Sequence, residues 1–318
     1  NIMTRSLMIF GQGAIRCHPF VLKELQAAQI TDYRQRLTEF DRVLFRHVGF
    51  AISNAARSFV LGLTHAHVGG APGDKYTRRF YRKLNRYAAN LALAADTAML
   101  TLGGKLKFKE KISARLGDVL STLYIASAML KRYEDQGRPV ADQPLLAWAF
   151  HDCAWRMQAA LDGVLRNFPI RPVAWLLRAL IFPIGRREAP PSDRLGHRVA
   201  TILCAPNDAR TRLAEWIYLT PSANNAVGRM NALLPEVIAA EPVERKFAKA
   251  LKAGAIKALD ADAQLAEAEQ TGALSAEERK LLERVRAAAQ EFIDVDDFDP
   301  AELRAATAKP KPELRSVA

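Results

Sequence analysis

Residues 73–104, GDKYTRRFYRKLNRYAANLALAADTAMLTLGG, decide the fold. Phe80, Leu84, Tyr87, Leu91, Ala94, Ala98 and Leu102 recur every three or four residues, the spacing that lines one face of an α-helix. Asp74 follows the breaker cluster Gly69-Gly70-Ala71-Pro72-Gly73 and is placed to cap the first turn. Gly103-Gly104 is placed to end the last.

Working outward, Ile112, Leu116, Val119, Leu120, Leu123, Ser127, Leu130 and Tyr133 make a second stripe. Ala114, Gly117 and Ala126 beside it would let a neighbouring helix approach closely. The connection 103–109 makes the two helices an antiparallel hairpin. Asp142-Gln143-Pro144 opens a third helix to about Asn167, where Pro169 and Pro172 break it. A shorter helix is expected over Asp41–Leu63, and others over 192–204 and 228–253. Pro206, Pro221, Pro235 and Pro242 predict that the later helices are short. Ser275-Ala276-Glu277-Glu278 reads as a capping box before Leu281, Leu282, Val285 and Phe292. No segment alternates convincingly enough for a strand, and no period repeats. The expectation is an all-α chain: a long amphipathic helical hairpin or bundle, then shorter Pro-punctuated helices, then a disordered tail over 307–318.

The chain has 318 residues, 49% hydrophobic and 25% charged, with a mean hydropathy of −0.10. No apolar run approaches the roughly 20 residues that span a bilayer. Asn1–Phe20 has no charged start and no secretory core with a cleavage site. It reads as the inside of a folded unit, so a downstream piece of a longer protein is expected. Cys17, Cys153 and Cys204 lie far apart and match neither a metal spacing nor a disulfide framework, which favours a reducing compartment. Residues 1–138 carry a net charge of +12, residues 139–254 carry +5 and residues 255–318 carry −5. A basic front fits an anionic partner or simply a solvated helical surface.

Short motifs add little chemistry. Gly11-Gln12-Gly13 lacks the third glycine of a dinucleotide fingerprint, with Arg16 in its place. His65-Ala66-His67 offers two imidazoles on different sides of a helix with no third ligand nearby, so no metal site is expected. Cys17-His18 lacks an orienting carboxylate, and Arg115 with Asp118 reads as a structural ion pair. Lys105, Lys107, Lys109 and Lys111 alternate through the hairpin turn. They fit anionic lipid headgroups, nucleic acid or a solvated loop, but no aromatic platform accompanies them, so nucleic acid is not expected as a partner. In Arg171–Arg187 the apolar run Val173–Phe182 contains Trp175, is interrupted by Arg178 and is flanked by Arg186 and Arg187. A membrane interface suits it; so does a buried core or dimer helix.

Several strings together resemble a known family. Asn1-Ile2-Met3-Thr4-Arg5-Ser6 and Met8–Pro19 are similar to the stretch after the catalytic Glu-Gly of bacterial long-chain acyl-CoA dehydrogenases. Phe80–Leu93, Ile112–Leu120, Tyr218–Ser222 and Val295–Pro300 are similar to that family's C-terminal extension. The resemblance implies that residues 1–29 complete the last helix of the dehydrogenase core and residues 30–306 form the bacterial-type C-terminal helical domain. It implies a parent enzyme that oxidises acyl-CoA to trans-2-enoyl-CoA in fatty-acid β-oxidation. There a glutamate removes the α-proton and FAD accepts the β-hydride.

That glutamate would precede Asn1, so no catalytic residue is expected in this chain and the chain alone should be inactive. Asn1 and Ile2 would lie near the FAD diphosphate, although related enzymes often carry Gln where Ile2 stands. The resemblance further implies a homodimer, electron transfer to an electron-transfer flavoprotein, and a bacterial cytoplasmic location, peripheral on the inner membrane. Trp175, Arg178, Phe182, Arg186 and Arg187 are the expected lipid contacts. The alternatives are a non-enzymatic membrane-docking module or a basic helical nucleic-acid binder.

Overall fold

The computed structural model describes residues 18–293, together with Arg16 and Ala301. The expectations for Asn1, Ile2, Gly11–Gly13, Cys17, the acidic stretch 294–299 and the tail fall outside the described residues. Among those described there are eleven α-helices and no strand, so the chain is all-α. They divide into two compact units, residues 1–200 and 201–318.

In the first unit α1 (Val21–Ala28) packs on α2 (Tyr33–Leu63), and α2 packs on α3 (Arg78–Leu102). A 3₁₀ turn (Gly103–Phe108) joins α3 to α4 (Glu110–Asp135). Next come α5 (Gln143–Asn167) against α4, and α6 (Arg171–Ile181) against both α2 and α5. The predicted hairpin of α3 and α4 is present. The helix starts at Arg78 rather than near Asp74, with Thr77 at the N-cap and no side-chain cap; Asp74 Oδ1 instead holds the turn ahead of it, accepting from the amides of Tyr76 (2.9 Å) and Thr77 (2.7 Å). Gly73 has φ +89°, and a Cβ there would lie 2.3 Å from the Thr77 hydroxyl oxygen, so the turn requires glycine.

The core follows the two sequence stripes. Phe80, Leu84, Tyr87, Leu93, Ala94 and Ala98 of α3 meet Leu116, Val119 and Leu130 of α4 and Phe150, Met157 and Leu161 of α5. Burying each large side chain removes enough apolar area to stabilise by about 1.5–3 kcal/mol. Two expected stripe members, Leu120 and Ser127, are instead exposed on α4. Of the small residues expected to admit a neighbour, Ala126 is fully buried in this core, while around Gly117 the space is open; Gly163 of α5 is also close-packed, a Cβ there meeting the Arg115 side chain at 2.9 Å.

Helix α2 differs from expectation, starting at Tyr33 rather than Asp41. Asp32 accepts from the Gln35 amide (2.7 Å) and is the true cap. Standing before a stretch rich in charge (Arg34, Arg36 and Glu39), Asp32 has no apolar contrast beside it to mark a helix start.

The second unit contains α8 (Asp208–Ala214), α9 (Ala226–Lys252), α10 (Ala261–Gln270) and α11 (Ala276–Ile293). The division between units falls within α7 (Asp193–Leu203). The helix expected over 228–253 is present as α9, but it runs 27 residues through both Pro235 and Pro242, so the argument that prolines keep these helices short fails there. An internal proline costs about 3 kcal/mol. Here Ala240 and Phe247 bury against a core with Leu265, Leu282 and Val285. Arg284 and Arg286 of α11 also pair with Glu236 and Glu244 of α9, so packing outweighs the local penalty. The predicted capping box is present: the Ser275 amide donates to Glu278 Oε2 (2.8 Å) and the Glu278 amide donates to Ser275 Oγ (3.1 Å).

Candidate functional site

A group of ligand-type side chains forms where the first three helices meet. His18 lies just ahead of α1, His47 on α2 and Asp96 on α3. One ligand atom of each lies within 4.8 Å of the others. Glu24 of α1 completes the cluster through a 2.7 Å contact to His47 Nδ1. The His18 and His47 rings are 4.7 Å apart; Phe20 stacks on His47, and Phe50 meets His18 edge-on.

Backbone geometry fixes the His18 tautomer. Its Nδ1 accepts from the amides of Phe20 (3.2 Å) and Val21 (3.1 Å), so that nitrogen holds a lone pair and caps α1. The proton then sits on Nε2 and is donated to Asp96 Oδ1 at 2.9 Å. A metal would need that Nε2 lone pair free and Nδ1 protonated against an acceptor. The donors facing Nδ1 therefore oppose metal binding, despite the short distances. Burial pushes the Asp96 carboxyl above its ordinary value, opposed by the nearby His18 and His47. Its Oδ2 is buried with no hydrogen-bond partner. The cluster ties α1, α2 and α3 together through polar contacts.

The expectation that no carboxylate orients His18 is corrected: Asp96, 78 residues along the chain, does so at 2.9 Å, and neither it nor His47 stands out by spacing in the sequence. The available signal was Asp96 itself, a carboxylate between Ala94 and Ala98 of the apolar stripe, where burial demands a partner. His65 and His67 lie in the turn beyond the end of α2 rather than on a helix and do not gather with a third ligand among the described residues; His67 Nδ1 contacts the Thr64 carbonyl (2.8 Å). Burial pushes the Cys153 thiol up, which suits a packing residue rather than a nucleophile.

The expected lipid contacts of α6 separate into two faces. Ala174, Leu177 and Ile181 are buried, while Trp175 is 63% exposed beside exposed Leu176. Phe182 is only 4% exposed and belongs to the core, so a lipid contact at Phe182 is corrected to a packing role. Arg178 and Arg186 turn to Asp162, at 3.2 and 2.9 Å, where Arg166 also binds at 2.7 Å. The Arg187 side chain is exposed, and its amide donates to Gln158 Oε1.

Near the end of α2 a cleft of about 390 Å³ is lined by aliphatic Ala56, Val60, Leu61 and Val68, with Arg57, Arg82 and Asn85 at its edge. No helix among the described residues is long and apolar enough to cross a membrane.

Residues 15–298 match the family model described as acyl-CoA dehydrogenase, C-terminal, bacterial type. No solved structure matches the chain. With nearly the whole chain spanned by that match, this protein belongs to the bacterial-type acyl-CoA dehydrogenase C-terminal family.

Proposed function

We propose that the chain is the C-terminal helical part of an FAD-dependent dehydrogenase of medium- or long-chain acyl-CoA, serving it as a scaffold. The observation that carries this reading is the family match over residues 15–298. The family supports an oxidoreductase parent in fatty-acid metabolism that uses FAD. The cleft beside α2 has Arg57, Arg82 and Asn85 in its lining but no aromatic ring to stack on a flavin.

On this reading the α-proton base is not among these residues, and electrons leave to an electron-transfer flavoprotein. A longer protein that includes the segment ahead of Asn1 is expected to bind FAD and to reduce a dye acceptor with palmitoyl-CoA. Residues 1–318 alone are expected to do neither. Turnover by the 318-residue chain alone would falsify the scaffold reading.

A second role, dimerisation, is favoured by α2. Leu37, Leu44, Phe45, Val48, Ile52, Phe59 and Leu63 are exposed, and at 100° per residue they share one face. That stripe runs for about 39 Å at 1.5 Å per residue, more apolar surface than a monomer ordinarily leaves open. We assign it to a homodimer contact. Light scattering is expected to find a dimer that Phe45→Glu with Ile52→Glu converts to monomers; a wild-type monomer rejects this role.

Peripheral attachment to the inner membrane is part of the same proposal. On α6 its apolar contact reduces to Trp175 and Leu176, with Arg171 exposed at the helix start and Arg187 exposed beyond its end.

A further inference from the structure

The tip of the α3–α4 hairpin combines exposed apolar side chains with lysines. Leu100, in the last turn of α3, is 87% exposed, and Phe108, at the end of the 3₁₀ turn, is 74% exposed. Lys105, Lys107, Lys109 and Lys111 are exposed around them, and none has an ion-pair partner among the described residues. Glu110 is the single acidic residue in the stretch 103–111. Single exposed apolar side chains are ordinary, but a phenyl ring and a leucine presented at one hairpin tip with four lysines combine an apolar and a cationic surface.

The tip is also braced from within. Leu102 and Leu106 tuck into the core beside Ile112. The Lys109 amide donates to the Leu106 carbonyl at 3.0 Å, and Ser113 Oγ donates to the same carbonyl at 3.2 Å. Lys107 Nζ lies 4.9 Å from the centre of the Phe108 ring. The outward residues are thus presented on a fixed turn, which lowers the ordering cost of docking.

We propose that this tip docks on an anionic lipid bilayer. Phe108 and Leu100 enter the headgroup–acyl boundary, and the four lysines meet lipid phosphates. The occupant follows from the two chemistries together: apolar side chains need a hydrocarbon phase, and uncompensated lysines need an anionic surface. Nucleic acid would satisfy the lysines alone and leave Leu100 in water. Helix α6 is the weaker charged contact, because Asp162 already holds its Arg178 and Arg186. The inference rests on the peripheral membrane attachment proposed above and names the surface that makes it.

Co-sedimentation of the 318-residue chain with phosphatidylcholine vesicles, with and without about 30 mol % phosphatidylglycerol, tests the proposal. Binding is expected only to the anionic vesicles. Changing Lys105, Lys107, Lys109 and Lys111 to Gln is expected to weaken it by more than about tenfold, each basic residue adding to surface attraction. Phe108→Ser should weaken it several-fold at constant charge, and Trp175→Ser should change it less than either. Circular dichroism is expected to show the native helix content in every variant, since all these side chains are exposed.

Binding lost with Trp175→Ser but kept in both tip variants overturns the tip assignment and leaves membrane attachment standing through α6. No vesicle binding by the wild type overturns both. A lysine-dependent gel shift on duplex DNA, with no loss in Phe108→Ser and no vesicle binding, overturns the lipid assignment in favour of nucleic acid. Palmitoyl-CoA turnover by the longer protein is read separately, so failure at the membrane and failure of the dehydrogenase reading are distinguishable.

Discussion

His18 shows how much a single ring can decide once its neighbours' hydrogens are known. Two backbone amides claim one nitrogen, so the other must donate to Asp96, and a trio with metal-like spacing becomes a structural lock. His18→Ala removes a cap and a donor together and is expected to cost about 1–2 kcal/mol in urea unfolding. Asp96 behaves differently. Burial raises its carboxyl in the fold, so folding favours the protonated form. That contribution is complete below the unfolded carboxyl's ordinary value and is lost as pH rises through the higher folded one. Asp96→Asn keeps an acceptor for His18 and removes the buried charge. It is expected to flatten stability across mildly acidic pH and to be no less stable than wild type at neutral pH. A large loss at neutral pH would show that the charge itself holds the cluster. None of this was legible from spacing, because positions 18, 47 and 96 meet only after two helix reversals.

At the scale of elements, sequence periodicity served best where one stripe faces one core. The α3–α4 hairpin, α5 and the capping box of α11 were all readable from apolar spacing and punctuating residues. Ser275→Ala is expected to lower stability by about 1 kcal/mol, since the Glu278 amide then loses its side-chain acceptor. The reading failed where long-range packing overrides a local rule. Prolines 235 and 242 predicted short helices, yet α9 continues because its far side is buried and ion-paired along α11. Each ring removes one helical hydrogen bond, so Pro242→Ala is expected to raise the thermal midpoint; a fall would mean the ring itself packs. Helix α2 began eight residues earlier than expected for a related reason: its exposed apolar face blurs the contrast between inside and outside on which periodicity depends.

For the whole molecule, two separate cores imply two separately vulnerable units. Phe150→Ala empties a fully buried site in the first and is expected to cost about 3–5 kcal/mol. Phe247→Ala does the same in the second. Calorimetry should show each substitution displacing a different part of the unfolding profile; one shared shift would mean the units melt as one. The same division explains what the sequence left hidden. Fold class and family follow from strings along the chain, whereas the outward faces of α2, α6 and the hairpin tip acquire meaning only once the packed faces are known.

Where α2 crosses α6, the space a side chain at Gly62 would fill is already taken by the Pro183 ring, 2.8 Å away, and by the Ile181 carbonyl at 3.2 Å. Neither position is therefore free to drift alone. A related protein with alanine at 62 should have given up the ring at 183, and one that kept both would have to hold α6, and Trp175 with it, further from its neighbour.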